Sequence, residues 1–237
     1  MKKRLALITT SVALATSSAA NAENQWGLTP YVGADVQSRH MNWSKGLGDN
    51  LFAHDAMQGN VYVGVKFNEY FGIEGGYEST SKKDRNVILN AGDIVTGNII
   101  NARMTSANVI ATSHLHGTHI NFVSSFYISE TNRLKFLGSL GVISLRAKLT
   151  KKLINYMDLG VPVDYSSRPS ILYNKRKHVL RIVAGLEHML TDAWGVRGSI
   201  TWENTNRLKI PSLNGATPSL AQPKNAIAYG LGAFITF

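Results

Sequence analysis

The spacing of strand-like segments constrains this chain more than any other feature. After residue 22, apolar and polar side chains alternate over residues 26–37, 57–67, 71–79, 116–129, 134–149, 176–189, 194–204 and 225–237. Alternation with period two predicts strands. Three connections are short (68–70, 130–133 and 190–193), and they alternate with four long ones at about 39–56, 80–115, 150–175 and 205–224. In an antiparallel sheet, this order puts every long loop at one end and both termini at the other.

The chemistry of the two faces indicates which side of the sheet meets lipid. In the second segment, Met57, Val61 and Val63 share one face, whereas Gln58 and Asn60 lie on the other. The polar faces also carry charges, whose burial in a soluble core is costly unless they pair. A narrow membrane barrel places such charges in its lumen and its apolar face against lipid. We therefore predict an all-β fold, an eight-stranded, antiparallel, up-and-down transmembrane β-barrel. Its predicted lumenal ion-pair or gate residues are Glu74, Arg197, Glu187, Arg181 and Lys66.

Two segments differ from the others. In the fifth, Leu137 and Leu140 place apolar side chains on opposite faces. The last segment, 225–237, ends on the aromatic Phe237 and carries a second aromatic at Tyr229. A terminal aromatic on an alternating strand is typical of the signal read by the β-barrel assembly machinery. We predict that Tyr229 and Phe237 form this assembly signal.

The N-terminus has the pattern of a secretory signal peptide. Lys2, Lys3 and Arg4 precede an apolar run over 5–15, and residues 20–22 read Ala-Asn-Ala. We predict a signal peptide at 1–22 that is cleaved, a barrel domain at 23–237, and export to the outer membrane of a Gram-negative bacterium. The alternative, a membrane anchor, needs a longer apolar run.

Composition excludes several classes of protein. The chain has no Cys, which excludes a disulfide scaffold, a thiol nucleophile and a Cys-ligated zinc site. The formal net charge is +10 over 237 residues, but three of the cations lie in the predicted signal peptide. Because the chain is exported, we expect no nucleic-acid partner.

Basic residues gather in the predicted long loops. The candidates for contact with a ligand or with lipopolysaccharide are Lys82, Lys83, Arg85, Lys151, Lys152, Lys175, Arg176 and Lys177; Arg39, Lys45, Arg207, Lys209 and Lys224 add charge to the same end. Cations at a membrane surface attract anionic headgroups. Such a rim suits lipopolysaccharide phosphates, and it suits sulfated glycans or proteins of a host equally well. The simpler alternative is general lipid contact and solubility.

Histidines raise the questions of metal binding and of catalysis. His114 and His116 share a strand face and His119 lies on the other, so the three cannot meet at one ion without a bend. A lipid-A-modifying enzyme would use His with Ser and an acid, but His40 and His54 do not stand in the His-x-Ser-Asn pattern of the deacylases. We therefore expect no enzymatic activity, no cofactor and no metal.

Three stretches carry a family resemblance. Residues 70–78 (YFGIEGGYE), 183–188 (VAGLEH) and 190–204 (LTDAWGVRGSITWEN) resemble the transmembrane domain of outer-membrane protein A and its relatives. The resemblance implies that Glu74 and Arg197 pair and block the bore, with Glu187 as a second lumenal acid. The family's competing Lys on strand four has no counterpart near Val123, so the resemblance does not extend to a charge-swapping gate.

Together these features predict a monomeric outer-membrane surface protein. Its expected role is structural and interactive: envelope integrity, with long external loops that contact environmental or host ligands. The alternatives are a narrow channel of low conductance and, less favoured, a lipid-A-modifying enzyme.

Overall fold

The computed structural model describes residues 27–43, 52–90, 104–129, 131, 133–164, 168–208 and 222–237. The predicted signal peptide (1–22), the start of the first predicted segment at Trp26, and much of the long loops lie outside these residues. The strands of the described part are β1 (Thr29–Trp43), β2 (Asp55–Lys66), β3 (Phe71–Thr80), β4 (Lys83–Asn90), β5 (Met104–Ser129), β6 (Leu134–Asp158), β7 (Val161–Asp164), β8 (Ser170–Met189), β9 (Trp194–Glu203) and β10 (Pro223–Thr236). A 3-10 turn follows at Thr205–Arg207. None of the described helical residues forms a helix long and apolar enough to cross a membrane.

Eight of these strands close into a barrel. Their order around the ring is β1, β2, β3, β5, β6, β8, β9 and β10, and each neighbouring pair is antiparallel. The last strand pairs with the first, from Tyr31 opposite Thr236 to Asn42 opposite Asn225. The predicted all-β, eight-stranded, up-and-down barrel is therefore confirmed. Its closure pairs the two strands that would otherwise be sheet edges.

Local hydrogen bonds fix two of the predicted short turns. The Oδ1 atom of Asn68 accepts from the backbone N–H groups of Tyr70 and Phe71, both at 2.8 Å. The Oγ1 atom of Thr191 accepts from the backbone N–H of Trp194 at 2.9 Å. Asn and Thr favour turns because they can bond the nearby backbone in this way. These turns join β2 to β3 and β8 to β9 at one end of the barrel, as the spacing predicts.

Four strands run well past the predicted segments at the opposite end. β1 continues to Trp43 rather than to 37, β5 begins at Met104 rather than at 116, β6 continues to Asp158 rather than to 149, and β8 begins at Ser170 rather than at 176. Strand β4 pairs with the upper half of β5, and β7 pairs with the end of β6. Over most of their described residues, the predicted loops 80–115 and 150–175 are therefore wrong. Above the bilayer the outer face meets water, so it loses the apolar alternation that marks a membrane strand.

The two faces of the wall differ as the alternation predicts. On β5, Ile120 is 61% exposed and its neighbour Asn121 is 2% exposed. The exposed apolar side chains form a band around the barrel that includes Val36, Met57, Val61, Val63, Phe67, Ile73, Ile120, Phe122, Phe126, Leu140, Val142, Leu180, Ile182, Leu186, Val196, Ile200 and Leu231. In transmembrane β-barrels, such a band is the surface that meets lipid.

The mixed character of β6 has a structural cause. Leu140 faces outward in the lipid band, whereas Leu137 is buried inside the barrel. Further along, the inner face of β6 contributes Ile143, Leu145 and Leu149 to a cluster that fills the upper lumen. We call this cluster the apolar plug; its members are Met41, Trp43, Phe52, Ala111, Leu115, Ile143, Leu145, Ala147, Leu149, Tyr173, Val179, Leu208 and Ala226. The inner face of β6 is apolar because it packs against this plug.

Candidate functional site

Below the plug, the lumen contains a first group of paired charges. Arg197 on β9 donates to Glu74 on β3 at 2.6 Å and to Glu187 on β8 at 2.7 Å. Lys66 on β2 donates to the other oxygen of Glu187 at 3.3 Å. We call these four residues the lower charge layer. The structure thus places four of the five predicted lumenal residues in one network, and the pair implied by the family resemblance is in direct contact.

Aromatic rings enclose the lower charge layer. The guanidinium carbon of Arg197 lies 4.4 Å from the ring centroid of Tyr62, within the range of a cation–π contact. The hydroxyl of Tyr31 donates to Glu74 at 3.2 Å. Gly33 and Gly64 make room for these rings, because a Cβ at either position would come within 2.4 Å of a tyrosine ring atom. The glycines therefore permit the rings that shield the ion pairs.

A second group of charges lies closer to the plug. Arg181, the fifth predicted residue, donates to Glu78 at 2.5 Å. Arg39 contacts both Glu78, at 3.1 Å, and Glu203. We call Arg39, Glu78, Arg181 and Glu203 the upper charge layer. Each of these four side chains is almost fully buried, so each charge depends on its partners.

Arg39 lies in the lumen rather than at the external rim, and its two acidic partners, Glu78 and Glu203, are not among the predicted lumenal residues. The sequence suggested that Arg39 adds charge to the external rim, but the structure buries it in the lumen, where it is 1% exposed. Residue 39 shares strand parity with the buried Gln37, which sets its direction. Glu78 and Glu203 were missed, although the parity of Glu74 and Arg197 points to them.

His119 connects the two charge layers. Its Nε2 atom lies 3.8 Å from Glu74, and its Nδ1 atom lies 4.0 Å from Glu78 and 3.2 Å from a guanidinium nitrogen of Arg181. The sequence marks His119 only as a possible metal ligand. Over the described part of the chain, no three His, Cys, Asp or Glu residues come together as metal ligands.

A small void lies between the upper charge layer and the plug. It has a volume of about 20 Å³ and touches Arg39, Thr80, Leu115 and Tyr173. That volume holds about one water molecule. Two layers of ion pairs and the plug thus fill the described lumen, as expected for eight strands.

The predicted contact residues divide into two groups. Lys82, Lys83, Lys175, Arg176 and Lys177 are exposed, and Lys152 is half-buried. Lys151 and Arg85 correct the prediction. Lys151 is 9% exposed on the inner face of β6, and burial lowers its pKa. Arg85 donates to the backbone oxygen of Phe52 at 3.0 Å, which ties β4 to the plug.

The external rim also contains a histidine–carboxylate pair. The Nδ1 atom of His40 lies 2.7 Å from Asp55, and the rings of His40 and His54 stack with centroids 5.8 Å apart. Among the hydrogen bonds of the described residues, no serine hydroxyl bonds to His40. The pair thus lacks the nucleophile contact that a Ser–His–acid arrangement requires.

The two aromatic residues of the predicted assembly signal lie on or next to the last strand. Tyr229 faces outward and is exposed, and Phe237 follows β10. The backbone N–H of Phe237 donates to the carbonyl oxygen of Pro30 at 3.0 Å. Both rings are therefore at the outer surface: Tyr229 lies on the strand that closes the barrel, and Phe237 lies directly after it.

A closed antiparallel barrel with an apolar exterior and a charged interior defines the class of outer-membrane β-barrel proteins. The sequence profile of the outer membrane protein beta-barrel domain matches residues 7–227, so the chain belongs to this family. The family places it in the outer membrane of a Gram-negative bacterium.

Several solved structures match the chain at low sequence identity. The attachment invasion locus protein Ail of Yersinia pestis, in complex with the heparin analogue sucrose octasulfate, is 12% identical. This match covers 89% of this chain and 97% of that chain, with a TM-score of 0.43. Neisserial surface protein A is 11% identical over 89% of this chain and 97% of that chain, with a TM-score of 0.41. The N-terminal barrel of Pseudomonas aeruginosa OprF is 12% identical over 87% and 97%, with a TM-score of 0.42. No curated protein sequence matches the chain.

Proposed function

We propose that this protein is a closed structural barrel whose extracellular part binds anionic surfaces, such as sulfated glycans or acidic proteins of a host. The observation that carries the proposal is the set of exposed lysines on strands that continue above the lipid band. The lumen beneath them is occupied by side chains, so the interaction surface is the exposed extracellular part of the molecule. The same closed barrel serves the integrity of the envelope.

The extracellular extension is large enough to be a contact surface. β5 has 26 residues and β6 has 25, whereas β9 has 10. A membrane span needs about 10 tilted residues. At about 3.3 Å per residue, the remainder of β5 and β6 extends roughly 50 Å along the strand direction. The extension is paired sheet, which presents its side chains in fixed positions.

The positive charge of the extension is expected to select anionic ligands. Lys175 and Lys177 are exposed on β8, and Lys82 and Lys83 are exposed where the chain passes from β3 to β4. Exposed cations attract polyanions through long-range forces that salt screens with a length of about 8 Å at physiological ionic strength. We therefore expect binding to be strong at low salt and to weaken steadily as salt is added.

The test is adhesion of intact bacteria that display the protein. A sulfated oligosaccharide on beads and cultured host cells serve as targets, over a salt series. The Lys175→Gln/Lys177→Gln variant should bind severalfold less than wild type. The matched control is Arg133→Gln/Lys135→Gln, which removes the same charge at the opposite end of the barrel and should bind like wild type. Adhesion no better than that of bacteria without the protein would contradict the proposal.

A further inference from the structure

The outer wall of the barrel bears a cationic patch that is separate from the loop lysines. The strand register places His116, Arg146 and Arg176 side by side on β5, β6 and β8. In the next outward-facing row, further from the lipid band along the strands, His114 and Lys148 are neighbours, and Asn174 completes the row. Their strand neighbours Leu115, Leu145, Ala147 and Leu149 are buried inside, so these side chains face out. We call His114, His116, Arg146, Lys148 and Arg176 the basic wall patch.

In the described part of the chain, this patch concentrates positive charge without a carboxylate partner. Arg146 and Arg176 are directly opposite each other, and like charges at such positions destabilise a sheet. Among the ion pairs of the described residues, none involves Arg146, Lys148 or Arg176. Such an arrangement is relieved when an anion binds between the cations.

Individual groups in the patch are oriented for an external ligand. The Nε atom of Arg146 donates to Asn174 at 2.9 Å, which fixes the guanidinium plane and leaves its two terminal nitrogens for another acceptor. The rings of His114 and His116 lie 5.2 Å apart, and the Nδ1 atom of His116 is buried without a hydrogen-bond partner. Burial, and then the neighbouring cations, lower the pKa of both histidines. A bound anion would raise the pKa of both histidines.

The height of the patch indicates what kind of anion it meets. The exposed row Ile120, Val142 and Leu180 belongs to the lipid band, and it lies four residues below the row of His116 on the same strands. Four residues correspond to about 13 Å along a strand and, at a tilt of about 40°, to roughly 10 Å along the membrane normal. The ring of Tyr77, whose centroid is 6.5 Å from that of His116, fits the aromatic belt of the interface. The patch therefore lies at the depth of headgroup phosphates.

We propose that the basic wall patch is a lateral binding site for the phosphate of an anionic glycolipid in the outer leaflet. Arg146 and Arg176 contact the phosphate, and Lys148 and the two histidines surround it. The site faces the neighbouring lipid rather than the host, so it goes beyond the proposed adhesive function and does not depend on it. A glycolipid held there would join the extracellular extension to the membrane surface.

The experiment measures lipid retention by the full chain refolded in neutral detergent. Native mass spectrometry compares retention of bisphosphorylated lipid A with that of its dephosphorylated form. Arg146→Gln/Arg176→Gln should weaken retention of lipid A about 30-fold, at about 1 kcal/mol for each lost charge near the surface. Arg133→Gln/Lys135→Gln is the matched control, because it removes the same charge at the opposite end of the barrel. The control should retain lipid A like wild type.

Each alternative result has a clear meaning. Equal loss in both variants would show that general charge is responsible and would overturn the site. Equal retention of the dephosphorylated lipid would overturn the role of the phosphate, and complete competition by millimolar inorganic phosphate would overturn the assignment to a lipid. Heat-modified gel mobility verifies that each variant is folded. In NMR titrations of wild type, lipid A should raise the pKa of His114 and His116, and no change would also contradict the proposal.

Discussion

Arg197 is the residue on which the lower charge layer depends. It is the common partner of Glu74 and Glu187, and all three are buried. Removing one member of a buried ion network leaves uncompensated charge and costs about 3–5 kcal/mol. We therefore expect Arg197→Ala to lower the free energy of unfolding by about that amount, measured by urea denaturation in detergent micelles.

The control for this change is an ion pair of similar length at the surface. Arg133 and Asp192 lie 2.7 Å apart, but both are exposed. Exposed pairs contribute about 0–1 kcal/mol, so Arg133→Ala should change stability little. Equal effects of the two substitutions would show that the lumenal network does not stabilise the barrel.

Two glycines on β2 allow a test of the aromatic shield. A Cβ at Gly64 would lie 2.2 Å from the ring of Tyr31, whereas a Cβ at Gly59 would meet nothing within 4 Å. Overpacking typically costs about 1–3 kcal/mol. Gly64→Ala should therefore lower the urea midpoint clearly, and Gly59→Ala, the same change on the same strand, should leave it nearly unchanged. A clear loss at Gly59 instead would contradict this packing.

Strand parity explains which lumenal residues were predictable from the sequence. Glu74, Glu187 and Arg197 lie within segments whose apolar face is continuous, so their inward direction follows from their neighbours. Arg39 lies just beyond the segment predicted to end at 37, in a stretch whose pattern predicts a loop, whereas β1 continues to Trp43. Its partners in the upper charge layer come from three other strands, and no local pattern gives the barrel register that brings them together.

At the scale of elements, contact with lipid explains which strand bounds the sequence predicts and which it does not. Within the hydrocarbon core, outward side chains are apolar, so the sequence locates the membrane parts of β2 and β3 within about two residues of their bounds. Beyond the hydrocarbon core, Arg146, Lys148 and Arg176 occupy outward positions, and the alternation disappears while the backbone pairing continues. The extension of β5, β6 and β8 therefore could not be recognised by an apolar stripe.

Hydrogen exchange tests this extension directly. Residues 145–151 of β6 pair with β5 on one side and with β8 on the other. Amides in a central strand exchange only when the sheet opens, whereas loop amides exchange freely. We expect protection at Leu145 to Leu149 comparable to that at Leu137 in the membrane. Free exchange above residue 144 would instead support the loop that the sequence predicted.

At the scale of the whole molecule, closure of the lumen decides between a channel and a surface protein. An ion that crosses the barrel must pass the lower charge layer, the upper charge layer and the apolar plug in turn. Each contains buried side chains in contact across the bore, and the void that described residues line between the upper layer and the plug holds about one water. The resemblance predicted the first obstruction. The other two depend on the barrel register and on strand extensions that no motif marks.

We therefore expect no steady conductance in planar bilayers. Leu145→Ala/Leu149→Ala enlarges the plug region, but both charge layers remain below it, so this variant should also be silent. Removal of Arg197 leaves the upper layer and the plug intact, so by itself it should destabilise the barrel without opening a path. Steady openings of the folded wild type would contradict a closed lumen, and the channel would then replace adhesion as the leading function. Silence of all three proteins, each shown to be inserted and folded, would leave the outer surface as the part of the molecule that interacts.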